Sequence, residues 1–208
     1  MAPSWLAQAG RRALLSLTTI PNLGESINVA IITIATAATA GLVAVGSGFT
    51  DPTRDFDPPW RRRDSNDSLM RIFCRSLKPM SAFIFPSLAE EVLWRGILIA
   101  PHPSTIVPIS QLLPRAGLVV GVHVMLHPIA GYTCWPRGRN VFCDWRFLLS
   151  ATFVLGGATL SYLASGGSVW AAALTHGLPV ALWRDFFGGE ALLMSKQSQN
   201  DSNGGEKS

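Results

Sequence analysis

The stretch PSLAEEVLWRGILIAPHP, from Pro86 to Pro103, narrows what this chain can fold into more than any other. It is an apolar run of helix length that holds two adjacent carboxylates, Glu90 and Glu91, and a guanidinium, Arg95. A charge at bilayer depth costs about 3 kcal/mol or more, so such groups pair, protonate or face a wet cavity. On a helix Glu91 and Arg95 stand at i and i+4 and share a face, where the guanidinium can neutralise the carboxylate through two hydrogen bonds. Glu90 is turned about 100° away and must find its partner on another helix.

Composition leans toward a bilayer. Of 208 residues, 48% are hydrophobic and 14% charged, against about 25% charged in soluble domains. Five apolar runs follow one another: Ile27 to Phe49, Ser81 to Ala100, Ala116 to Ile129, Phe147 to Ala164 and Val169 to Phe187. The third is short for a crossing, which takes about 20 residues. Gly117 and Gly121 within it have the spacing that lets membrane helices approach closely. The expected fold is all-α: a polytopic transmembrane bundle of about five helices, three of them motif-bearing and set around a central cavity. The loops support this count. One side receives seven Lys and Arg from the 51–80 loop, three from the 131–146 loop and three from the C-terminal end, thirteen in all. The other side receives two from the N-terminus and Arg115, three in all. By the positive-inside rule the C-terminus faces the cytosol or the stroma.

Residues 1–26 contain Arg11 and Arg12 and no acid before Glu25, and read as an amphipathic membrane-surface helix or a weak targeting peptide. The first fits better, because no small-residue cleavage pattern follows. The domain proper is residues 27–190, with a charged, solvated loop at 51–80. Residues 191–208 read as a disordered polar tail. Cys74, Cys134 and Cys143 form no CxxC pair and signal neither a disulfide framework nor a thiolate zinc site. Trp60, Trp135 and Trp170 fall near span ends, as an aromatic belt does. The basic residues make no aromatic-interleaved stripe, which argues against a nucleic-acid partner. Membrane lipid is the expected surrounding.

Two further runs supply partners for Glu90. His127, in VHVMLHP, follows His123 by one turn, and His176 lies in WAAALTHGLPVALW. A glutamate and two histidines from three helices could activate water for attack on a carbonyl, with the carboxylate as base and an imidazole orienting the water or stabilising the oxyanion. The plainer readings are a structural Glu91–Arg95 ion pair, a packing role for His123 and a loop position for His102. Glu90 fits such a reading worst, since an unpaired second carboxylate adds only cost. HxxxH with Glu90 opposite also suggests a Zn²⁺ site at His123, His127 and Glu90.

EEVLWRG resembles the EExxxR motif of the CPBP family, the CAAX prenyl proteases and bacteriocin-processing enzymes that include the Ras-converting endopeptidases. HVMLHP is similar to its FxxxH motif with His127 as the histidine, and THGLPV to its third, with His176. The phrases FPSLAEEVLWRGILIAPHP, LHPIAG and GSVW look like a variant found in photosynthetic lineages. The resemblance implies a glutamate-dependent intramembrane endopeptidase acting on a hydrophobic or prenylated protein or peptide and requiring no cofactor. Glu90 would be the base, His127 would help activate water, Glu91 and Arg95 would support the first motif helix, and His176 would stabilise the oxyanion. Two positions depart from the pattern: His123 replaces the Phe of the second motif, and Val180 replaces the Asn of the third. Val180 cannot donate to an oxyanion, so the alternative is a non-catalytic membrane scaffold or assembly factor that keeps the fold.

Overall fold

The computed structural model describes residues 4–58, 77, 83–99 and 109–194. The basic stretch of the 51–80 loop, Trp60, Cys74, His102 with its flanking prolines, and the tail beyond residue 194 lie outside the described residues. Those described are helical and include no strand: the protein is an all-α bundle. Helix α1 spans Trp5–Thr18 and α2 spans Leu23–Gly46. The motif segment α3 is three helical pieces, Phe83–Leu88, Ala89–Glu91 and Val92–Ile97. Then come α4, Ile109–Thr133, α5, Trp145–Ala164, and α6, Val169–Phe186.

Local chemistry sets the boundaries. Asn22 and Glu25 form a reciprocal capping box, the Asn22 Oδ1 accepting from the Glu25 N–H at 3.0 Å and the Glu25 carboxylate from the Asn22 N–H at 2.8 Å, and the uncharged run behind it extends α2 to 24 residues. Asp144 caps α5 by accepting from the Arg146 N–H at 2.9 Å. Three helices, Leu23–Gly46, Gln111–Thr133 and Trp145–Ala164, are long and apolar enough to cross a membrane. In α2 the soluble-protein pattern is reversed: Ile31, Ile34 and Leu42 point outward at 61%, 67% and 74% exposure, while Thr33, Thr36 and Ala40 are buried. An apolar outer face of this kind fits hydrocarbon surroundings.

Two of the five expected runs differ. The run from Ser81 to Ala100 is not one straight helix, because Phe85 leaves helical geometry (φ −139°, ψ 124°) ahead of Pro86. A proline disfavours helical backbone in the residue before it. The run expected to start at Ala116 and end at Ile129 instead covers Ile109–Thr133, passing through Pro114 and Pro128. Val169–Phe186 matches the fifth run but, with His176, Arg184 and Asp185 inside it, is not among the three apolar helices.

Helices α2, α5 and α6 pack against one another, α4 lies on α5, and α1 lies on α3. The close approaches are not at Gly117 and Gly121, around which a Cβ would meet nothing within 4 Å. They are at Gly157, where any side chain would collide with Thr36 of α2, and at Gly96, where a Cβ would fall 2.5 Å from Ser16 Oγ of α1. The N-terminal segment is thus a docked helix: Arg12 donates to the Ile97 carbonyl at 3.2 Å, and Trp170 Nε1 to the Leu17 carbonyl at 2.8 Å. A core of Ile99, Ala116, Val119, Ala158, Tyr162, Val169 and Ala172 closes the bundle beside the motif segment.

Candidate active site

The two acids of α3 point to different surroundings, as their 100° separation requires. Glu91 and Arg95 are fully buried, and Arg95 donates to Glu91 Oε1 at 2.9 Å. The same oxygen accepts from His176 Nδ1 of α6 at 2.8 Å. Arg95 reaches α5 as well: its Nε donates to Thr159 Oγ1 at 3.2 Å and its NH2 to the Leu155 carbonyl at 2.7 Å. Both partners lie one turn apart on α5, and Thr159 itself donates to Leu155 O at 2.9 Å. Glu91 Oε2 has no partner among the described residues.

Glu90, with its side chain 33% exposed, accepts from His123 Nε2 at 3.1 Å, and its Oε2 lies 3.9 Å from His176 Nε2. The structure therefore brings Glu90, Glu91, Arg95 and His176 together. It adds His123, which the sequence suggested as a packing residue and which is the direct partner of Glu90. Trp94 stacks on the His123 ring at 4.6 Å and 16°.

His127 is anchored differently from His123. Its Nδ1 lies 3.2 Å from both the His123 and Val124 carbonyls. The Val124 carbonyl is the one that residue 128 would bond in an unbroken helix, and Pro128 has no N–H to offer. With its proton donated there, a neutral His127 keeps a lone pair at Nε2, and its ring packs edge-on against Phe142 and Phe147. Among the described residues no three His, Cys, Asp or Glu side chains form a metal-holding group, and that covers the set of His123, His127 and Glu90.

A cavity of about 280 Å³ adjoins the site. Small residues of α2, among them Ala40, Gly41 and Ala44, form one wall, α5 and α6 the others, and both His127 and His176 reach it. Val180 is on the wall too, whereas Glu90 is not. Pockets of this size and polarity hold apolar groups with a few polar atoms fixing their orientation.

The proton inventory gives the arrangement its chemistry. Glu91, neutralised by Arg95, requires His176 Nδ1 to donate, so a neutral His176 presents a lone pair at Nε2. Glu90 Oε2 and His176 Nε2 are then two acceptors, too far apart for a direct hydrogen bond but spaced for one water that donates to both. Comparison of the chain with protein families, with curated proteins and with solved structures finds no match in any of the three.

Proposed function

We propose that the protein is an intramembrane endopeptidase that hydrolyses a peptide bond with water held between Glu90 and His176, in the manner of the CAAX-processing enzymes its motifs resemble. The observation that carries this reading is the convergence of Glu90 Oε2 and His176 Nε2 at 3.9 Å from two different helices, beside an apolar cavity. The water oxygen adds to the scissile carbonyl carbon while Glu90 takes one of its protons, and His176, aligned by Glu91, holds the other. The tetrahedral intermediate then expels the amine, which leaves with the proton from Glu90. Carbonyl and amine are thus released as a carboxylic acid and a free amine. The cavity wall suits a hydrophobic or prenylated substrate segment. Three long apolar helices support a multi-pass protein, and with α3 and α6 as two further crossings the basic loops favour a C-terminus on the cytosolic or stromal side.

Glu90→Gln keeps the shape and removes the base. Purified in lipid nanodiscs, it is expected to cleave a prenylated reporter peptide at least about a hundredfold more slowly than the wild type; equal rates would end the assignment.

One observation favours a second reading. Val180 lies on the cavity wall at the position where the resembled family carries a donor, and Glu90 is off that wall. A scaffold that retains the fold without turnover would show both features. In that case Glu90→Gln would support growth in a complementation test as well as the wild type does.

A further inference from the structure

We infer that Arg95 is a positioning residue for Glu90, acting through His123 by holding that ring in the single tautomer able to donate to the carboxylate. The consequence for turnover rests on the hydrolytic reading above, while the tautomer rests on geometry alone.

A guanidinium has five N–H donors and no acceptor. Arg95 NH1 lies 3.1 Å from His123 Nδ1, so that nitrogen must offer a lone pair. The ring proton is then on Nε2, which stands 3.1 Å from Glu90 Oε2. A second proton on the ring would set N–H against N–H at Arg95, so His123 donates and does not exchange protons. Base chemistry is left to Glu90 and His176.

Every part of this relay is held from outside. Arg95 is fully buried and bound to Glu91, Thr159 and the Leu155 carbonyl, so it cannot swing away. The His123 ring is clamped by Trp94 at 4.6 Å and lies near-parallel to His127 at 5.8 Å. With one site on Oε2 taken by His123, the Glu90 carboxylate is fixed in rotation and presents its remaining lone pairs to water. Outer partners of this kind orient a reacting group without touching the substrate. The relay also gives the EExxxR spacing here a further use: one guanidinium neutralises Glu91 and sets the donor to Glu90.

Histidine ¹⁵N spectra of the full chain in nanodiscs test the lock directly. The chain has four histidines, and loss of signals in His123→Gln assigns the relevant pair. The expected result is a protonated Nε2 and a bare Nδ1 on His123; a protonated Nδ1, in either a neutral or a charged ring, would overturn the inference. In the double variant Glu91→Gln/Arg95→Met, which removes the buried pair together so that no lone charge remains, a mixture of tautomers is expected, and an unchanged single tautomer would refute the role of Arg95. For turnover, His123→Phe is expected to lower kcat by about tenfold to a hundredfold with KM unchanged. His123→Gln, whose amide still donates, should recover most of that loss; equal losses in both would exclude positioning. If the wild type cleaves nothing, hydrolysis fails as a reading, and the spectrum still decides the lock.

Discussion

At Pro128 helix α4 lacks the N–H that would bond the Val124 carbonyl, and His127 Nδ1, 3.2 Å from that oxygen, supplies a donor instead. An unsatisfied buried carbonyl costs about 1–3 kcal/mol, so His127→Phe is expected to destabilise the protein by about that amount. The loss should largely vanish in a Pro128→Ala background, where the backbone N–H returns. Thermal unfolding of the four proteins of this cycle in detergent measures it; equal losses in both backgrounds would remove the repair role. Of the site residues, Glu90, Glu91 and Arg95 were legible in the sequence because charges in an apolar run demand partners. The division of labour between His123 and His127 was not, since spacing places both on one face. It is decided by a proline one residue further on and by the reach of an arginine from another helix, neither of which spacing encodes.

At the scale of elements, α2 and α5 could be read from uninterrupted apolar runs, and α6 from an apolar run that stays helical through Pro179. The broken α3 and the long α4 could not: Pro86 and Pro114 look alike in sequence, yet the first coincides with a break and the second lies inside a continuous helix. What joins α2, α5 and α6 is a hydroxyl cluster. Thr175 Oγ1 lies 2.6 Å from Thr33 Oγ1 and 2.7 Å from Ser161 Oγ, all three buried. Thr175→Val preserves shape but severs both links, and should cost about 1 kcal/mol in a denaturation series in micelles; no change would show that packing alone holds the three helices. At the start of α5, the Arg146 side chain holds the Asp144 carboxyl below its usual range. A depressed value means the stabilisation is present above the ordinary carboxylate range and is lost as pH falls through the lowered one. Asp144→Ala should therefore cost about 1 kcal/mol at neutral pH, and the gap in melting temperature from the wild type should narrow in acid. A gap as wide in acid as at neutral pH would contradict the ionic part of this stabilisation.

Seen whole, the molecule places its polar groups inside and much of its apolar surface outside, with Leu42, Leu118 and Leu160 at 74%, 68% and 55% exposure. Such an arrangement is costly in water and natural in lipid. The buried network from Glu91 through Arg95, His123 and His176 ties α3, α4, α5 and α6 at one level, and Glu90 is the member of that level with exposure to spare. Charges so placed gain little as structure, since a well-packed apolar replacement is often as stable. Turnover in ¹⁸O-labelled water, with the products weighed by mass spectrometry, reports whether water enters the cleaved bond. If Glu90 and His176 deliver water to a peptide bond, the wild type will place one ¹⁸O atom in the new C-terminal carboxylate and Glu90→Gln will release almost no product. Unlabelled product, or labelled product formed equally fast by both proteins, would contradict the account.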